Sequence, residues 1–284
     1  MMHVVGTSAE LAEALVGDSQ RAVVMTMGAL HDGHAQLIRQ ARELVGVTGE
    51  VVVTVFVNPT QFGAGEDFDR YPRTFDDDVR ICDASGADAV LAPTAAEVYG
   101  PSGAFTESSI TVDPGLLGGL LEGAARPTHF RGVLTVVAKL MGMTRPHLAL
   151  FGEKDYQQLT LIRRMASDLN LGVEIVGVPT VREGDGLALS SRNRYLSSEE
   201  REAAVVVPRA LEAVVSAAAA GDAEPLDAGR AVLADVPQFD VDYLVLTDPE
   251  LGPAPVSGDA RVLIAGRLGP TRLLDNMPVR MGAR

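Results

Sequence analysis

Ala22-Val23-Val24-Met25-Thr26-Met27-Gly28-Ala29-Leu30-His31-Asp32-Gly33-His34-Ala35-Gln36-Leu37-Ile38 passes from a strand through a glycine-bearing turn into a helix, and that passage decides the fold. Residues 22–25 form a short apolar run, the pattern of a strand covered on both faces. The same pattern recurs at Val51-Val57, Ala89-Leu91, Leu148-Phe151 and Val173-Val178. Between these runs, Ala35-Val45, Asp76-Ala84, Gly132-Met143 and Tyr156-Leu169 show helical spacing. Such alternation predicts an α/β domain over residues 1–180: a Rossmann-like, doubly wound parallel sheet whose ligands lie beyond the carboxyl ends of the strands.

After Pro179 the pattern changes. A polar loop at Arg182-Tyr195 leads into a helix signalled by Ser197-Ser198-Glu199-Glu200 and carried by an alanine-rich stretch to Ala220. A further helical piece and two strand-like runs follow, Val241-Leu246 and Arg261-Ala265, so residues 181–284 read as a smaller α+β C-terminal lid domain. There is no internal repeat.

With 24 basic and 38 acidic residues the net charge is -14, which disfavours a nucleic-acid partner and leaves small anions held by local basic groups. The single cysteine, Cys82, rules out an internal disulfide framework and a CxxC metal site, and reads as a packed helical residue. A reducing compartment fits. The longest apolar runs are too short to span a bilayer, and no leader-like pattern opens the chain, so a cytoplasmic protein without membrane contact is expected.

Four strand-to-helix or loop segments can carry chemistry. In the first, Gly28 and Gly33 permit close backbone approach, the helix start offers amides and a positive dipole end, and His31 and His34 can donate to phosphate oxygens. The competing readings are two incidental histidines or part of a metal site, although His3, His129 and His147 form no metal-spaced cluster with them. In Gly152-Glu153-Lys154-Asp155-Tyr156-Gln157-Gln158, Lys154 can reach anionic oxygens and the glutamine amides can orient an organic substrate; a solvated helix start is the bland alternative. Leu189-Ser190-Ser191-Arg192 suits a polyphosphate on a loop able to close over it, or else is a capping loop before the next helix. Asn58 and Gln61 in Asn58-Pro59-Thr60-Gln61 can recognise hydroxyl, carboxylate or amine groups.

Two neighbouring segments take structural readings. Arg126-Pro127-Thr128-His129-Phe130-Arg131-Gly132 could place basic groups near a carboxylate, but His129 reads better as part of a connector to a helix that begins after Arg131. Thr74-Phe75-Asp76-Asp77-Asp78 could suggest a metal site, but Thr74 reads better as an N-cap and the aspartates as acids complementing the helix dipole.

Taken in order, MGALHDGH, FVNPTQFG, RPTHFRG, FGEKDYQQL and LALSSRNRYL closely resemble the pantothenate synthetase, or pantoate-beta-alanine ligase, family of the HxGH nucleotidyltransferase superfamily. The likeness runs from about Met25 through Tyr195, and Val241-Leu246 and Leu268-Asn276 share it. Met25 stands where the family often has proline, and Leu189 where methionine is frequent; both exchanges are apolar.

The resemblance implies ATP-dependent joining of pantoate to beta-alanine through a pantoyl adenylate, with Mg2+ accompanying ATP and a homodimer as the assembly. Carried over by motif, Met27, Gly28, Ala29, Leu30, His31, Asp32, Gly33, His34, Gly152, Glu153, Lys154, Asp155, Val181, Leu189, Ser190, Ser191 and Arg192 would line the ATP site. Gln61 and Gln158 would hold pantoate, Gln61 would also touch beta-alanine, and Asn58 stands with them as a substrate-binding candidate. His34 would donate a proton, while His31, Lys154 and Arg192 would neutralise phosphate charge. Protein ligands for the metal are not implied.

Overall fold

The structure, a computed structural model, describes residues 2–15, 17, 19–63, 67–106 and 108–282. The chain divides into two compact units: Met1–Glu153 with Gln157–Pro179, and Lys154–Tyr156 with Thr180–Arg284. Three residues of the lysine motif thus belong with the smaller unit.

The larger unit runs β1 (His3–Val5), α1 (Ser8–Ala14), β2 (Arg21–Thr26), α2 (Asp32–Val45), β3 (Glu50–Val55), α3 (Phe75–Ser85), β4 (Ala89–Leu91), α4 (Ala95–Tyr99), α5 (Glu122–Ala125), α6 (His129–Thr144), β5 (Leu148–Gly152), α7 (Tyr156–Asp168) and β6 (Glu174–Val178). Its six strands lie in the order β1-β4-β3-β2-β5-β6, and every pairing is parallel. Val23, Val24, Val51, Val52, Val53, Ala89 and Val90 are wholly buried, which is why these runs lack alternation. Ile38 and Ala41 of α2 seal one face. From β2 the chain winds outward through β3 and β4, then returns to place β5 on the other side of β2. The switch point is therefore the β2–β5 boundary, and sheets of this kind take their ligands beyond the carboxyl ends of the strands at such a point.

Cys82 packs on the same face of the sheet, and burial first, then the charge of Asp78, pushes its thiol up to about 12. A thiol so far from ionisation is inert at neutral pH.

The smaller unit contains α8 (Ser198–Ala203), α9 (Val206–Ala219), α10 (Leu226–Ala234), β7 (Phe239–Thr247), β8 (Gly258–Leu268) and β9 (Thr271–Met281). The strands form an antiparallel sheet in the order β7-β8-β9. Its buried face, including Val262, Ile264 and Leu268, packs on Val207, Leu211 and Val214 of α9. The single helix expected up to Ala220 is two, because Pro208 cannot donate the hydrogen bond that would carry one helix across Ala204-Val205. Ser197 caps α8 in a reciprocal box with Glu200. No helix among the described residues is long and apolar enough to cross a membrane.

Candidate active site

β2 ends at Thr26, and Met27 to His31 make the turn into α2, which begins at Asp32. His31 is the N-cap of α2: its Nδ1 accepts the Gly33 N–H at 3.2 Å, while Nδ1 of His34 accepts the His31 N–H at 3.3 Å. The spacing H-x-x-H is thus a capping box built from two imidazoles, with ring centroids 4.2 Å apart. Gly33 is required there, since a Cβ would sit 2.9 Å from Cε1 of the His31 ring. An Nδ1 that accepts an N–H carries no proton, so in their neutral forms both rings are protonated at Nε2.

The preceding amides are directed into the protein. Gly28 N–H goes to Oγ1 of Thr26, and the N–H groups of Ala29 and Leu30 go to the carboxylate of Asp78. Asp78 is only 1% exposed, and Thr74 Oγ1 also donates to it. As expected, Thr74 stands at the N-cap position of α3 and Asp76, Asp77 and Asp78 fall in its first turn; what differs is where two of the side chains go. Thr74 makes no side-chain cap to α3, and Asp78 directs its charge to the histidine-bearing turn. The amides of Gly28, Ala29 and Leu30 are thus all taken up by protein groups. Met27 and Gly33 are partly accessible and Asp32 is exposed.

The β3 segment lies beside this turn. Asn58 is 1% exposed; its Nδ2 donates to Oε1 of Gln61 and to Gly132 O, and its Oδ1 accepts from Tyr99 Oη, Thr60 Oγ1 and the Thr60 N–H. Its polar atoms are engaged by protein, one of them by Gln61, so the two amides are held together at the end of this strand. The Gln61 amide itself meets the Met27 sulfur, which ties the two strand-end motifs together.

α6 begins at His129, earlier than expected, and His129 is more than a connector. Its Nδ1 lies 3.0 Å from Gln61 O, and because a carbonyl only accepts, the ring must donate. Arg126 also donates to that carbonyl, at 3.3 Å. A Cβ on Gly132 would lie 2.3 Å from Thr60 O, so glycine lets α6 approach the Asn58–Gln61 segment. These contacts set the RPTHFRG segment against FVNPTQFG.

The two adjacent glutamines of α7 differ. Gln157 is buried, accepting the Glu122 N–H and donating to Leu117 O and Leu120 O. Gln158 is half-buried, and among the described residues its amide has no hydrogen-bonded protein partner. β5 ends at Gly152, beside β2, and Glu153 follows in the larger unit.

In the smaller unit, Lys154 Nζ lies 3.6 Å from Asp155 Oδ1, too far for a strong hydrogen bond. Its backbone is fixed by a distant residue: Asn276 Nδ2 donates to Lys154 O at 2.9 Å. Arg261 donates to Asn276 Oδ1 and stacks 3.7 Å from the Tyr156 ring centroid, and the Tyr156 hydroxyl donates to Pro249 O. Next to Asn276, the buried Asp275 receives Arg182 through both terminal nitrogens. Burial pushes the Asp275 carboxyl above its ordinary range, against the opposing Arg182 bonds.

The serine–arginine segment is shaped by a tight hairpin in which Leu189 N–H donates to Val181 O. Ser190 Oγ caps a short 3-10 helix, Ser191–Tyr195, by accepting the Arg192 N–H at 3.3 Å. Asn193 donates to Glu183 and to Ala188 O, and Arg201 pairs with both Glu183 and Asp185. Sequence reading missed Asp78, Asn276, Arg261 and Glu183, whose partners lie outside their own motifs. Among the described residues no three His, Cys, Asp or Glu side chains group as a metal site.

The family model described as Pantoate-beta-alanine ligase matches residues 3–278. A pantothenate synthetase of Nocardioides sp. is 57% identical over 281 residues, covering 96% of this chain and 83% of the relative. One from Nocardia farcinica is 57% identical over 274 residues, covering 96% and 84%. The crystal structure of pantothenate synthetase from Thermus thermophilus superposes with a TM-score of 0.88 at 49% identity, covering 97% of this chain and 99% of that one. The pantoate-beta-alanine ligase of Francisella tularensis, solved in complex with beta-gamma ATP and beta-alanine, gives 0.79 at 30% identity, covering 98% and 97%. With the family pattern spanning both units and more than half the residues shared with such relatives, the chain belongs to the pantoate-beta-alanine ligase family.

Proposed function

We propose that this chain condenses (R)-pantoate with beta-alanine, converting ATP to AMP and pyrophosphate, through a pantoyl adenylate. The observation that carries this reading is the two-histidine capping box at the end of β2, joined through Met27 to Gln61 at the end of the neighbouring β3. That pairing sets phosphate-type donors beside an amide suited to a hydroxy acid.

In the first step a pantoate carboxylate oxygen attacks the α-phosphorus of ATP, and the bond to the bridging oxygen breaks to release pyrophosphate. Negative charge builds on the leaving oxygens, and His34 supplies the proton while His31, Lys154 and Arg192 supply positive charge or N–H donors. The Nε2 protonation imposed by the capping box suits both histidines to donation. Gln61 and Gln158 hold pantoate. In the second step the beta-alanine amine attacks the acyl carbon, the C–O bond to AMP breaks, and the nitrogen loses its proton. The remaining residues of the ATP set, Met27 to Gly33, Gly152, Glu153, Asp155, Val181, Leu189, Ser190 and Ser191, shape the nucleotide pocket. Mg2+ would travel with the triphosphate, whose oxygens are its natural ligands. A homodimer in the cytoplasm completes the reading, by family resemblance.

A coupled assay with each substrate omitted in turn tests it. Steady AMP formation should require ATP, pantoate and beta-alanine together. A stable nucleotidylated product formed without response to beta-alanine would instead make this a nucleotidyltransferase of the same superfamily.

A further inference from the structure

We propose that Asp78 is a positioning residue for the two-histidine turn, acting from the far side of the strand end to set where His31 and His34 stand; the inference rests on the adenylation reading above. Its carboxylate is buried, and among the described residues no cation pairs with it. Its compensation is three neutral donors: Leu30 N–H at 2.8 Å, Ala29 N–H at 3.1 Å and Thr74 Oγ1 at 3.1 Å. Two of the three are consecutive amides of the turn, each oxygen of the carboxylate taking one.

This grip has a conformational consequence. Ala29 is held at φ 51°, in the left-handed region that an alanine disfavours, so something must over-determine it. The carboxylate does so by drawing in both amides at once. The His31 N–H, immediately after, is left to the His34 ring. The backbone orientation that Asp78 imposes at residues 29 and 30 is thus handed on to the reciprocal histidine box one residue later. Asp78 touches no reacting atom. It fixes the turn from within, as Thr26 Oγ1 does for Gly28.

Asp78→Asn retains the shape but puts an NH2 group opposite one of the two amides, leaving a donor facing a donor. A misplacement of the order of 1 Å in a catalytic turn can cost about 10²-fold. Asp78→Asn should therefore slow pyrophosphate release from ATP and pantoate by roughly 10- to 100-fold. Beta-alanine attack on preformed pantoyl adenylate should stay within about twofold, since no phosphate charge builds at that step. The milder Thr74→Val, which deletes one donor and leaves both turn amides bonded, should slow the same step by roughly two- to tenfold.

Equal losses in both steps would reduce Asp78 to a general packing role, and unchanged rates in folded protein would overturn the inference outright. Thr74→Val supplies the same comparison of the two steps if Asp78→Asn does not fold. The amide 15N and 1H shifts of Ala29 and Leu30 should also move in Asp78→Asn whatever reaction the parent runs, and unmoved shifts would contradict the grip itself. Absence of any adenylate from the parent protein would instead sink the functional reading.

Discussion

Lys154→Ala should slow formation of the acyl adenylate by about 10²-fold or more while leaving the fold intact, as read by single-turnover pyrophosphate release and a thermal melt. The physical basis is the disposition of the lysine. Its backbone carbonyl is pinned by Asn276, and its side chain is 20% exposed beside Asp155 at 3.6 Å. The main chain is thus fixed by groups that the substitution does not touch. A partly solvated pair this loose is worth at most about 1 kcal/mol, so truncation should cost little stability. The loss should fall on the rate constant, because charge develops on the phosphates only as the bond to pyrophosphate breaks. A near-normal rate in folded protein would remove Lys154 from the chemistry.

His34→Ala should produce a loss of similar size in the same step, with beta-alanine attack on preformed adenylate much less affected. Here two effects must be separated, since His34 also caps His31 N–H at the start of α2. Loss of a cap costs about 1 kcal/mol of stability, whereas loss of a donor to a forming oxyanion costs roughly 10²- to 10³-fold in rate. His34→Asn distinguishes them. The asparagine oxygen can still accept the His31 N–H, yet the side chain has no acidic N–H to transfer. It should regain stability and not the rate. Recovery of adenylation in His34→Asn, or equal losses in both half-reactions of His34→Ala, would contradict a proton-donating role.

The parallel sheet was legible because its strands are buried on both faces, so Val51-Val52-Val53 needs no polar alternation to be recognised. β1 escaped notice because it has three residues, two of them exposed, at the edge of the sheet. β9 was obscured for a different reason. Asp275 and Asn276 interrupt an apolar pattern, yet both are buried, because Arg182 and Arg261 satisfy them. No local rule reveals an arginine 93 residues away.

The same distinction runs through the candidate site. The histidine spacing could be read locally, since a capping box spans one helical turn. Asp78 reads only as a helix-start acid because Thr-Phe-Asp-Asp-Asp satisfies that logic on its own, while the amides it holds are 48 and 49 residues upstream. Asn58 reads as a ligand because an amide at a strand end is chemically able to be one; the partners it has in Gly132 of α6 and Tyr99 lie 74 and 41 residues away and no local pattern reveals them. Gln157 and Gln158 are indistinguishable by type, and the fold alone assigns one inward and leaves the other open.

If adenylation proceeds as proposed, a pantoate carboxylate oxygen becomes bonded to the α-phosphorus and stays there when the amine displaces AMP. Turnover of pantoate labelled with 18O in its carboxylate measures this directly. Mass spectrometry should find one labelled oxygen in each AMP and one fewer in the pantothenate than in the starting acid. Unlabelled AMP, or formation of ADP and inorganic phosphate in its place, would contradict passage through a pantoyl adenylate.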